Sequence, residues 1–264
     1  MASLLDWLYK LSDNKLVVVD AEIPSHLTIL GEALRALQGQ KRFLYRSAAS
    51  FINGLGNCPV KEYQPKTLSA LRLKTKLGNY KPGLVMVGSY VPLADEQVDS
   101  LLKEDSCLGI EFPVKEIASA FENRFNEKTL FDIETLCLER IYYCLSLDKT
   151  PVLYSSRGEL AHRSLKRKTE FGYTIAESMA RIVSKVSDKL GYVISKGGVT
   201  TNVFLARGLN IDMVRLKGQL LPGLSVVCAD SYILAKRLPI VTFPGNLGQK
   251  ETLYLAWKLM EGIS

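Results

Sequence analysis

The hydrophobic and polar positions of this chain follow two periods. Short apolar runs bounded by turn residues read as buried strands, and stretches with apolar residues three or four apart read as helices. Residues 4–11 predict a short amphipathic helix. Leu16, Val17, Val18 and Val19 form a continuous apolar run ending at Asp20, the pattern of a strand covered on both faces. After Pro24 and Ser25, a helical stripe runs through Leu27, Leu30, Ala33, Leu34 and Leu37. Residues 42–45 predict a second strand, and residues 46–50 open a helix ending near Leu55. The polar, basic, turn-rich stretch 57–82 predicts a loop. Strands follow at 83–87, closed by Gly88 and Ser89, and at 108–112, with helices at 95–103 and 130–147.

Around Asp148, Lys149 and Thr150 the pattern restarts. It predicts strands at 152–154, 191–194, 211–216 and 239–243, a β-rich region at 225–229, and helices at 169–190, 201–207 and 249–260. Strands alternating with helices imply βαβ units. The expected fold class is therefore α/β, as two α/β domains with mainly parallel sheets and a boundary near residue 148.

Three apolar strands in the second half run into small-residue loops. Residues 191–194 lead into Ser195-Lys196-Gly197-Gly198-Val199-Thr200-Thr201-Asn202, and the 239–243 strand into Pro244-Gly245-Asn246-Leu247-Gly248. Residues 151–154 lead into Ser155-Ser156-Arg157-Gly158. Glycines let backbone N–H groups close on an anion, and the unpaired N–H groups of a helix start favour negative charge. Thr200 or Thr201 would cap the helix or donate a hydroxyl to phosphate. Each loop alone is also compatible with an ordinary turn. Convergence of all three beyond the carboxyl ends of strands would make a nucleotide site.

Composition narrows the picture modestly. The chain has 264 residues, 47% hydrophobic and 23% charged, enough for a sizeable core. No apolar run reaches membrane-spanning length, and residues 2–7 lack the pattern of a secretory signal. Cys58, Cys107, Cys137, Cys144 and Cys228 are odd in number and scattered without CxxC spacing; Cys137 and Cys144, seven apart on an apolar helix, suggest buried thiols more than a bridge, and a reduced, cytoplasmic setting is expected. The net charge of +7 favours an anionic partner. Its densest cluster, Arg157, His162, Arg163, Lys166, Arg167 and Lys168, fits a solvated helix face or phosphate contacts. It lacks the interleaved aromatics of single-strand nucleic-acid binders, so nucleic acid is disfavoured. His26 and His162 read as surface residues, and no metal site is expected.

Several ordered motifs resemble the four-carbon acid sugar kinase family. They are Val18-Val19-Asp20-Ala21, Phe43-Leu44-Tyr45-Arg46-Ser47-Ala48-Ala49-Ser50-Phe51, Val87-Gly88-Ser89-Tyr90-Val91-Pro92, Ser195 to Thr201, Gly218-Gln219-Leu220-Leu221-Pro222-Gly223 and Phe243 to Gly248. The resemblance implies a partial sugar-acid-binding domain at 1–147 and an ATP-binding domain at 148–264, with the site in the cleft between them. It implies nucleotide contacts at Ser155, Ser156, Lys196, Gly197, Gly198, Val199, Thr200, Thr201, Gly245 and Asn246, with Mg²⁺ arriving on ATP. Asp20, Arg46, Ser47, Gly88 and Ser89 fall on the substrate side, although Asp20 also suits a turn or cap, and Gly88-Ser89 a simple turn. Two departures stand out. Many members carry Glu where this chain has Val199, and the Asp-Asp-x-Thr-Gly motif that opens the family, source of its expected base, has no counterpart here. No catalytic residue is therefore assigned. The expectation is a split or truncated kinase completed by a second polypeptide or a second copy, or else a non-catalytic nucleotide- or anion-binding module.

Overall fold

The computed structural model describes residues 2–57, 65–89, 91–122, 127–156, 165–229 and 237–263. In chain order the first elements are α1 (Ala2–Lys10), α2 (Pro24–Ala36), α3 (Ala49–Gly56), α4 (Pro65–Ser69), β1 (Gly83–Val87), α5 (Pro92–Leu101), β2 (Cys107–Phe112), α6 (Val114–Glu122) and α7 (Glu127–Ser146). There follow β3 (Thr150–Ser155), α8 (Leu165–Val186), β4 (Tyr192–Lys196), α9 (Gly198–Val203), β5 (Val214–Leu221), β6 (Leu224–Ala229), β7 (Ile240–Phe243) and α10 (Thr252–Glu261). Contacts divide the chain into two units, Met1–Glu62 and Tyr63–Ser264.

The second unit is built on one seven-stranded sheet in the order β2-β3-β1-β4-β7-β6-β5. β2, β3, β1, β4 and β7 run parallel, while β6 is antiparallel to both β7 and β5. The β5–β6 hairpin turns through Pro222 and Gly223, whose φ of 78° suits the left-handed second position that glycine fills. Strand side chains alternate between faces, so a continuous apolar run is what a sheet covered on both sides requires. On one face Leu84, Met86, Leu153 and Val193 pack with Ile141, Met179, Val183 and Phe204. On the other, Val85, Val87, Ile194 and Phe243 pack with Val98, Leu101, Ala256 and Trp257. Trp257 Nε1 donates to Thr150 Oγ1 at 3.0 Å, fixing α10 against β3. At the same amino-terminal ends of the strands, Tyr192 donates to Glu261 at 2.7 Å and Arg72 pairs with the same carboxylate at 2.8 Å.

Most expected elements form, with boundaries shifted by a few residues. α4 and α6 were not anticipated. Two strands expected in the first unit do not form among the described residues. Residues 16–19 and 42–45 belong to no helix or strand; Leu16 is 89% and Val18 81% exposed, and Leu44 is fully exposed. The first unit is instead helical, with Leu8, Leu30, Ala33, Leu34 and Leu37 as its core. α2 and α3 approach at glycines: a Cβ on Gly31 would lie 2.3 Å from the Gly54 carbonyl oxygen. The expected pair of α/β domains is thus corrected to a single α/β sheet plus an N-terminal helical unit. β1 and β2, both expected in the first domain, are laid beside β3 and β4 in the shared sheet. The α7–β3 link is a tight turn with Asp148 at φ 55°.

Cys107, Cys137, Cys144 and Cys228 are buried free thiols, as the spacing of Cys137 and Cys144 implied for that pair; Cys58 lies outside the described residues. Burial pushes the Cys107 thiol up to about 12 and the Cys137 thiol up to about 11. No helix of the described residues is long and apolar enough to cross a membrane.

Candidate functional site

Parallel strands deliver their carboxyl ends to one edge of a sheet, and the loops leaving them meet there. In this chain β3, β1, β4 and β7 end in register. Val87 pairs with Tyr154 on one side and Lys196 on the other, and Lys196 pairs with Phe243. One residue further on stand Ser155, Gly88, Gly197 and Pro244. Backbone pairing persists across that step: Gly88 N–H donates to the Lys196 carbonyl at 3.1 Å, and Gly197 N–H to the Phe243 carbonyl at 2.8 Å.

Small residues let these loops touch. A Cβ on Gly88 would stand 2.2 Å from Thr200 Oγ1, and one on Gly245 would stand 2.9 Å from Ser89 Oγ and 4.0 Å from Gly197 Cα. Gly197 turns the chain from β4 into α9 at φ 115°, a conformation a side chain rarely adopts. The loops at 88–89, 197–200 and 244–245 therefore form one continuous surface. At Gly198 nothing lies within 4 Å of a Cβ position, so the loop is open there.

The side chains of the expected nucleotide residues divide by direction. Ser155 Oγ is buried and has no hydrogen-bond partner among the described residues, at the end of β3 next to Gly88. Ser156 Oγ accepts from the Val114 N–H at 2.9 Å and so fixes the start of α6. Thr201 Oγ1 donates to Ser195 Oγ at 2.9 Å and its N–H to the Gly197 carbonyl at 2.9 Å, bracing the turn from within. Thr200 is buried against Gly88, while Val199 is half exposed at the loop. Lys196 is fully buried, its Nζ donating to the carbonyls of Pro244 and Gly245 at 3.2 and 3.0 Å. Asn246 is exposed on the adjoining loop.

Gln97 was not singled out from sequence. Its Nε2 donates to the carbonyls of Leu247 and Gln249 at 3.1 and 2.7 Å, holding the far half of the β7–α10 loop. The available signal was a polar residue in the buried stripe Ala94, Gln97, Val98 and Leu101 of α5. On the substrate side, Gly88 and Ser89 belong to this edge. Asp20, Arg46 and Ser47 are exposed in segments of the first unit outside its helices. Arg157, Gly158, His162, Arg163 and Tyr90 lie outside the described residues, and Lys166 pairs loosely with Glu170 at 4.0 Å.

An apolar sheet edge with glycine loops and an orphaned buried hydroxyl suits a phosphate-bearing ligand. Residues 84–253, which carry this whole edge, match the family model described as the nucleotide-binding C-terminal domain. The chain belongs to that family. Two solved structures share the fold of this nucleotide-binding C-terminal domain protein. One is a DUF1537 protein (domain of unknown function) from Bordetella bronchiseptica, described as a domain-swapped dimer with bound citrate. It is 18% identical with a TM-score of 0.55, over 92% of this chain and 53% of that one. The other, a putative tRNA synthase from Salmonella typhimurium LT2, is 17% identical with a TM-score of 0.57, over 90% of this chain and 51% of that one. The chain thus spans about half the length of each. No curated protein matches it significantly.

No group of three or more His, Cys, Asp or Glu side chains able to hold a metal occurs among the described residues, and we assign none to Mg²⁺.

Proposed function

We propose that the chain is the ATP-binding part of a split or truncated kinase of the four-carbon acid sugar type. The observation that carries this reading is the register of Ser155, Gly88, Gly197 and Pro244 along one sheet edge, with an unpartnered buried hydroxyl beside the glycine loops. Phosphoryl transfer demands positioning and neutralisation of phosphate charge. The glycine loops supply close-approaching amides, and Ser155 supplies a hydroxyl donor. Mg²⁺ comes with ATP and adds positive charge at the phosphates. The sugar acid would be taken up beside Gly88 and Ser89.

The exposed, strand-like segments 16–19 and 42–45 support a further element of the same assembly. Apolar residues at strand spacing are covered in a complete sheet, so we assign their cover to a second polypeptide, a further stretch of chain or a second copy. The Bordetella relative's domain-swapped dimer is a precedent for the last arrangement.

A non-catalytic nucleotide-binding module is the second reading. It is favoured by Val199, whose half-exposed apolar side chain brings no polar group to the loop.

Isothermal titration with Mg-ATP tests nucleotide binding, using Gly198→Asp as the variant. The open space at Gly198 lets the variant fold, while its carboxylate repels phosphate. Binding that vanishes in the variant supports the site; a folded wild type that binds no nucleotide refutes it. Phosphorylation of a tetronate in the presence of an Asp-Asp-x-Thr-Gly protein separates kinase from module.

A further inference from the structure

Lys196 is a charged side chain, 0% exposed, on the last residue of a central parallel strand. An ammonium group tolerates such a place only when its donors are satisfied. Nζ meets this condition with the Pro244 and Gly245 carbonyls at 3.2 and 3.0 Å, and it lies 4.0 Å from the centre of the Phe243 ring. All of these partners belong to residues 243–245. The buried ammonium therefore acts on one short stretch of chain, the exit of β7.

The consequence follows from peptide geometry. Across a trans peptide, the N–H of a residue points opposite to the carbonyl of the residue before it, and no peptide here is cis. Holding the carbonyls of Pro244 and Gly245 inward thus turns the N–H groups of Gly245 and Asn246 away from the core, toward the exposed side of the loop. Among the described residues neither N–H has a protein acceptor. Gly245 adjoins Ser89 and Gly197, so its amide belongs to the surface the glycine loops share. Gln97 grips the carbonyls of Leu247 and Gln249 from the same interior, and the loop hangs from inside at four carbonyls.

We propose that Lys196 is a positioning residue of the phosphate site: it touches no ligand and presets the Gly245 and Asn246 amides as donors to a nucleotide's phosphates. This rests on the nucleotide-site reading above. It assigns to the lysine next to the glycine pair an indirect role, with specificity for phosphate and none for the base.

The test uses the full chain and Lys196→Met, which keeps the length of the side chain and removes its donors. Titration with Mg-ATP and with adenosine is combined with amide spectra of ¹⁵N-labelled protein. The expected result is a folded variant whose Gly245 and Asn246 amide signals move, with Mg-ATP binding about ten- to a hundredfold weaker and adenosine binding unchanged. A merely structural role would weaken both ligands together and overturns the proposal. So does unchanged Mg-ATP affinity with unmoved Gly245 and Asn246 signals, even where the wild type binds tightly. Wild-type protein that binds neither ligand instead refutes the nucleotide site itself, and the proposal with it. Should Lys196→Met fail to fold, Lys196→Gln, which keeps an amide donor, takes its place; failure of both to fold also overturns the proposal.

Discussion

Replacing Gly88 by Ala adds one methyl group at the tightest point of the candidate site. The new Cβ would lie 2.2 Å from Thr200 Oγ1, 2.9 Å from its Cγ2 and 3.1 Å from its Cβ. Rotating Thr200 cannot clear it, because both branches and the branch point are already crowded. The start of α9 must retreat by about 1 Å, and overpacking of this kind costs about 2 kcal/mol. For a unit of this size that lowers Tm by about 4–8 °C. The same retreat draws the 197–200 loop away from Gly88 and Ser89. Losing one charge-assisted hydrogen bond to phosphate costs about 1.5–3 kcal/mol, which raises the Kd for Mg-ATP about ten- to a hundredfold. Thermal unfolding and isothermal titration read the two effects separately. Gly198→Ala, whose methyl meets nothing within 4 Å, is the stability control and should leave Tm near the wild-type value. A Gly88→Ala protein with wild-type Tm and affinity would refute the packing argument and the convergence of the loops together.

Three further outcomes follow from individual contacts. Ser155→Ala removes a buried hydroxyl that has no partner among the described residues, so stability should hold or rise slightly while Mg-ATP affinity falls; denaturation together with titration checks both, and an unchanged Kd counts against a ligand at that hydroxyl. Gly83→Ala would push a Cβ to 2.2 Å from Tyr192 Cζ at the opposite strand ends, so it should destabilise the fold by about 3 kcal/mol or more and leave the Kd of the surviving folded protein unchanged. Burial lowers the Lys196 ammonium to about 8, below its unfolded value of about 10.4. Between those values the unfolded chain keeps the proton and the folded chain releases it, so this group's penalty fades as pH rises through the window. The stability of wild type relative to Lys196→Met should therefore improve from about pH 7 to about pH 10 in chemical denaturation, and a constant gap would contradict the buried charge.

Much of the second unit was legible from residue patterns because its strands carry local signatures. Leu84, Val85, Met86 and Val87 are apolar without alternation, and Tyr192 to Ile194 likewise, since both faces of the sheet are covered. The Gly197-Gly198 and Pro244-Gly245 turns were equally visible, because backbone demands of that kind select glycine and proline. Less visible was the direction of each side chain within those turns. Ser155 and Ser156 are neighbours of one residue type, yet one hydroxyl is unpartnered and the other caps α6. Lys196 read as a phosphate contact, whereas its ammonium is turned inward onto two carbonyls. Gln97 gave almost no signal, as its partners lie about 150 residues away in the chain.

The sequence by itself determined the alternation of strands and helices, the buried thiols and the glycine loops, all of which depend on residues close in the chain. Tertiary structure alone decided which strands share a sheet. Residues 16–19 and 83–87 carry the same kind of apolar run, but only the latter finds partners, β3 and β4, to satisfy its backbone groups. Strand pairing is a contract between distant segments, and a parallel strand cannot complete its hydrogen bonds from its own neighbourhood. The same distance rule governs the site: the loops announce themselves locally, and the register of four strand ends brings them together.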